Sequence, residues 1–92
     1  MQREAKGRVL LIDDDKIIRR TVHRILEYEG YTYLEADNGR EGLARVTEES
    51  PDAVLLDIKM AGLDGIEVLR RIKEIDPDIP VVMISGHGSI AT

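Results

Sequence analysis

The sequence predicts an α/β fold, a doubly wound parallel sheet with helices on its faces. Three observations predict it. Short aliphatic runs, "RVLLID", "DAVLLD" and "IPVVMISG", recur along the chain and read as strands covered on both faces. Between them lie segments with apolar residues at helical spacing, each opened by Asp or Asn. Strand and helix alternate in units of about 20 to 25 residues, which implies parallel strands joined by right-handed crossovers.

Each element has its own justification. "RVLLID" (8–13) is a continuous apolar run ending in acid. In "DKIIRRTVHRILEYEG" (15–30), Ile18, Val22, Ile25 and Leu26 recur at helical spacing, Asp15 is placed to cap the start, and Gly30 sits where a helix-ending glycine belongs. "YTYLEA" (31–36) is β-branched and aromatic, suited to an outer strand. "DNGREGLARVTEES" opens with Asn38 three residues before Glu41, a capping-box pattern, puts Leu43 and Val46 on one face, and is stopped by Pro51. "DAVLLD" (52–57) is a second fully apolar strand. "LDGIEVLRRIKEID" repeats the cap logic with Asp64 and Glu67 and turns Ile66, Leu69 and Ile72 inward. "IPVVMISG" (79–86) is a third buried-type strand, and "HGSIAT" begins a further helix. The expected set is four strands, three helices and the start of a fourth.

Composition bounds the function. Ninety-two residues make one domain with a modest core. Hydrophobic residues are 42% and charged residues 34%, the balance of a globular chain. With no Trp or Phe the core is aliphatic, and with no Cys there is no disulfide, thiolate metal site or cysteine nucleophile. A formal charge of −5 argues against nucleic-acid binding, which needs a basic face. No apolar stretch approaches the roughly 18 residues of a membrane span, and "MQREAKGR" lacks a signal-peptide core. These features lead us to expect a cytoplasmic module away from membranes.

In an open α/β sheet, chemistry gathers beyond the carboxyl ends of the strands, where the strand order reverses. The first strand ends in Asp13, Asp14 and Asp15, the third in Asp57, and the fourth in Ser85, Gly86 and His87. A single strand-end Asp is ordinarily a loop or capping residue; acids and a hydroxyl from three strands together ask for more. Crowded carboxylates repel unless a cation offsets them, and a few carboxylate oxygens with open water positions suit Mg²⁺. Such a metal points to phosphoryl chemistry, with Asp57 as nucleophile forming an aspartyl-phosphate and Ser85 donating to the phosphoryl group.

The segments "VLLIDDD", "LLDIKMAGLDG" and "VVMISG" resemble the receiver domain of two-component response regulators, in the family's order and at its spacings, from about residue 8 onward. The resemblance implies a flavodoxin/CheY-like receiver fold. It implies that Asp14 is a direct Mg²⁺ ligand and Asp13 acts largely through water. Asp57 is then both phosphoacceptor and metal ligand, the main-chain carbonyl of Lys59 a further ligand, and Ser85 the switch hydroxyl. It also implies a sensor histidine kinase or phosphotransfer partner, docked through the first helix near Arg19 and Arg20, and an output, transcription being the expected one. "SGHGSI" resembles, over six residues only, receivers of enhancer-type transcription activators.

Two departures stand out. Ala61 replaces the family's usual proline after the phosphoacceptor. The family's five-stranded pattern also exceeds these residues: the expected domain, 1–92, lacks most of the fourth helix, the fifth strand with its site lysine, and the fifth helix. Neither Lys16, Lys59 nor Lys73 takes that lysine's position. The family's strand order, 2-1-3-4-5, would leave the fourth strand as an apolar edge, so a homodimer or domain swap is expected there. A degenerate receiver acting as a protein-interaction piece is the alternative function. A phosphohydrolase would want an acid two residues after the nucleophile, where Lys59 stands. His87 reads as a loop residue, His23 as a surface one, "RRIKEID" as a solvated helix face, and the Ile17, Ile18 and Val22 side of the first helix as core.

Overall fold

A computed structural model describes residues 6–59 and 64–84. In chain order it contains β1 (Arg8–Ile12), α1 (Lys16–Tyr28), β2 (Thr32–Ala36), α2 (Gly39–Glu49), β3 (Ala53–Asp57), α3 (Gly65–Ile75) and β4 (Val81–Ile84). The seven expected elements are present in the expected order. The expected start of a fourth helix, and Ser85 to His87, lie outside the described residues.

The four strands form one parallel sheet in the order β2-β1-β3-β4. The chain moves one way across the sheet from β1 to β2 and the other way from β2 through β3 to β4. With right-handed crossovers, that reversal puts α1 on one face and α2 and α3 on the other. Register then aligns the acids. Ile12 lies level with Leu56, so the residues that follow, Asp13 and Asp57, leave the sheet side by side.

The helix starts are set by local chemistry. Asp15 accepts from the amides of Ile17 and Ile18, Asn38 from Glu41 and Asp64 from Ile66. The capping boxes differ from expectation. Glu41 reaches the amide of Asp37, one residue before the cap, at 3.2 Å, and Glu67 pairs with Arg70 and Arg71 instead. Gly30, with φ +93°, lets the chain leave α1. Ser50 takes the same left-handed role after α2 at φ 47°, just before Pro51.

The main core lies between the sheet and the α2–α3 layer. Leu10, Ile12, Val54, Leu56, Val68 and Ile72 are fully buried there, with Ala36, Val46 and Ile79 nearly so. Gly42 is the close-approach point of α2: a Cβ on it would lie 2.4 Å from Ile12 Cδ1.

Three expected core residues are not buried. Ile66 is exposed at the first turn of α3, and Val68 takes the inward place. Ile17 and Ile25 are exposed on α1, a helix with no fully buried residue. The stripe that α1 turns to the sheet is Ile18, Val22 and Leu26, which are partly buried, and Ile17 and Ile25 lie to the side of it. Arg19 and His23 draw α1 toward β2, where they meet Glu35 and Tyr33.

Candidate metal and phosphoacceptor site

The expected acids meet. One carboxylate oxygen each from Asp13, Asp14 and Asp57 lie within 4.8 Å of one another. Asp13 is fully buried and Asp57 nearly so, while Asp14 stands at the surface.

Backbone amides hold it in shape. The Asp13 amide donates to the Ala36 carbonyl at 3.1 Å, anchoring the end of β1 to β2. Asp13 Oδ1 accepts from the Asp15 amide at 2.9 Å, and Asp57 Oδ1 from the Lys59 amide at 3.1 Å. The Ile58 amide donates to the Ile84 carbonyl at 3.0 Å, so the chain leaving Asp57 remains tied to β4.

Asp13 carries the electrostatic signature of the site. Burial pushes its pKa up to about 6, the adjacent Asp57 and Asp14 carboxylates push the same way, and the Asp15 amide opposes them. Its second oxygen, Oδ2, is buried with no hydrogen-bond partner among the described residues. A buried carboxylate oxygen facing other acids is costly alone and suited to a hard cation. The donor set thus fits Mg²⁺.

Of the remaining expected site residues, Lys59 lies beside Asp57 and contributes the amide just described. Ser85 lies outside the described residues. Two further contributors were not expected at the site. Gly65 opens α3 directly against the loop after Asp57: a Cβ there would lie 2.7 Å from the Ile58 carbonyl oxygen and 3.0 Å from that of Asp57. The motif "LLDIKMAGLDG" contains this glycine, and its place behind the capping Asp64 was the available clue. Arg19 donates to the Asp13 carbonyl at 2.9 Å. No motif marks it. His23, expected as a plain surface residue, is half exposed but stacks on Tyr33 with ring centroids 4.4 Å apart.

Residues 9–92 match the family described as "Response regulator receiver domain". The chain belongs to that family. It is a receiver of two-component signalling.

This receiver is 42% identical over 83 residues to the sporulation initiation phosphotransferase F of Bacillus subtilis, covering 90% of the chain and 67% of that protein. It is 38% identical over 82 residues to the C4-dicarboxylate transport transcriptional regulatory protein DctD of Rhizobium meliloti, covering 89% of the chain and 18% of DctD. The latter supports the likeness to receivers of enhancer-type activators. A CheY-like receiver domain protein from Methanospirillum hungatei superposes with a TM-score of 0.84 at 35% identity, over 90% of this chain and 66% of that one. Among the described residues, no helix is long and apolar enough to cross a membrane.

Proposed function

We propose that this receiver accepts a phosphoryl group on Asp57 from a histidine kinase or phosphotransfer protein. The observation that carries the reading is the convergence of Asp13, Asp14 and Asp57 beyond the carboxyl ends of β1 and β3. Asp13, Asp14, Asp57 and the Lys59 carbonyl would hold Mg²⁺, which supplies neutralising charge for the acids and the phosphoryl oxygens.

The Asp57 carboxylate attacks the phosphorus of a phosphohistidine. A P–O bond forms and the P–N bond breaks; its electron pair stays on the imidazole nitrogen, which takes up a proton. Hydrolysis reverses the outcome: water attacks, the P–O bond to Asp57 breaks, and inorganic phosphate leaves. Asp57 Oδ1 is held by the Lys59 amide, which orients the carboxylate. Ser85 is the phosphoryl-contacting hydroxyl in this reading. The domain catalyses only its own phosphorylation and dephosphorylation, in the cytoplasm, and controls an output such as transcription in a longer parent. The interaction-only alternative keeps the same fold and acids, and Mg²⁺-dependent labelling separates it from this reading.

The test is intact mass after incubation with Mg²⁺ and a small acyl-phosphate donor, beside Asp57→Asn. One added phosphoryl group in the wild type alone is expected. Equal labelling of the variant, or none in a folded wild type, would overturn the reading.

We also infer self-association through β4. Among the described strands it has a neighbour on one side only, and Val82 is 52% exposed. Size-exclusion chromatography should show a dimer; a well-behaved monomer at micromolar concentration and above would count against it.

A further inference from the structure

Arg19 sits one turn into α1, and its guanidinium bonds the backbone of the acid site. Nη1 donates to the main-chain carbonyl of Asp13 at 2.9 Å. That carbonyl belongs to the peptide joining Asp13 to Asp14, where the chain leaves β1. The plane of this peptide sets the direction in which the two carboxylates leave the backbone.

The arginine is itself held. Its side chain is only 17% exposed, and Nε lies 3.5 Å from Glu35 Oε1 on β2. The Tyr33 hydroxyl lies 2.8 Å from the same Glu35 oxygen and 3.1 Å from the carbonyl of Arg19. Its single proton is shared between those acceptors, so Tyr33 ties the Arg19 backbone to the carboxylate that holds the Arg19 side chain. The Tyr33 ring is in turn stacked on His23.

Charge alone would make Arg19 a poor neighbour for a dication site, because a guanidinium repels Mg²⁺. Its bond to a main-chain oxygen, and its tether to Glu35, point to geometry. We propose that Arg19, clamped by Glu35 and Tyr33, is a positioning residue that fixes the Asp13–Asp14 peptide so that both acids converge with Asp57 on the metal. This rests on the reading of the acids as a Mg²⁺ site.

The test is a Mg²⁺ titration of the whole chain, followed by amide chemical shifts near Asp14 and Lys59, with a thermal melt for each variant. Arg19→Ala is expected to bind Mg²⁺ about 10-fold more weakly or worse, as outer-shell losses do, and Arg19→Lys to recover part of that. Arg20→Ala, which removes an equal charge from the same helix, is expected to bind as tightly or more tightly. A merely structural role for Arg19 would lower the melting temperature and leave the affinity of the folded protein unchanged. Glu35→Gln and Tyr33→Phe, which spare the arginine, should each weaken binding to a smaller degree and cover the case in which Arg19→Ala does not fold. Wild-type affinity in folded Arg19→Ala, or in both clamp variants, would overturn the proposal and leave the metal site standing. A wild type that shows no Mg²⁺ response would overturn both.

Discussion

On the face covered by α2 and α3, Leu10, Ile12, Val54, Leu56, Val68 and Ile72 are completely buried. On the face covered by α1 no helix residue is, and Ile25 and Val82 stay about half exposed. The difference teaches where each face spends its residues. The α2–α3 face supplies most of the burial that holds the fold. The α1 face supplies polar ties, Arg19 to Asp13 and Glu35, that reach the site. The acids lie at the strand ends where both layers reach them, Gly65 from one side and Arg19 from the other.

The largest break in that comparison should come from the core. Ile72→Ala removes a fully buried side chain and is expected to cost about 3 to 4 kcal/mol in urea denaturation. Gly65→Ala should follow, at about 2 kcal/mol, because the added Cβ meets main-chain atoms of Ile58 and Asp57 that have little room to move. It should also weaken Mg²⁺ binding, whereas Ile72→Ala in its folded fraction should not. Equal effects of the two on Mg²⁺ affinity would mean Gly65 has no privileged link to the site.

Asp13 sharpens the comparison in the opposite direction. Its pKa is raised to about 6 from an ordinary 3.8 by burial and the neighbouring acids. The native state therefore holds a proton that the unfolded chain gives up. Stability from this group is fully present below about pH 4 and is lost as pH rises through 6, a fall on the order of 2 kcal/mol in ion-free buffer. Asp13→Asn should remove the fall, leaving the ion-free protein roughly 1 to 2 kcal/mol more stable at pH 7 and much weaker in Mg²⁺ binding. Proton and ion compete for one carboxylate, so wild-type Mg²⁺ affinity should drop as pH falls through about 6. Thermal melts across pH, with and without Mg²⁺, check both; a flat ion-free profile would contradict the buried-acid account.

The smallest effect belongs to the α1 face. Ile25→Lys, at a 55% exposed position, should change stability by no more than about 0.5 kcal/mol. A loss above about 1 kcal/mol would mean that Ile25 is covered in solution, for instance by a second copy of the chain.

The aliphatic runs made the strands legible, and Asp15, Asn38 and Asp64 made the helix starts legible, because both signals are local in sequence. Asp13, Asp14 and Asp57 were legible as a group because strand ends in a doubly wound sheet converge. Ile17, Ile25 and Ile66 were misplaced because apolar residues on these helices spread wider than the stripe that faces the sheet, and spacing alone does not say which of them lie at its margin. Arg19 was hidden for a different reason. Its partner is a backbone oxygen, and its tether Glu35 lies on another strand, so nothing in residue type or spacing announces the pair. Gly65 was not singled out; only the packing of α3 on the Asp57 loop shows why a side chain does not fit there.

The central claim is that Asp57 takes the phosphoryl group with Mg²⁺ held by the acids around it. The most direct measurement is borohydride reduction after reaction with a small acyl-phosphate donor, which converts an aspartyl-phosphate to homoserine, followed by peptide mass spectrometry. Homoserine is expected at position 57, formed only when Mg²⁺ is present during the reaction. Homoserine at another acid, or at position 57 irrespective of Mg²⁺, would contradict it.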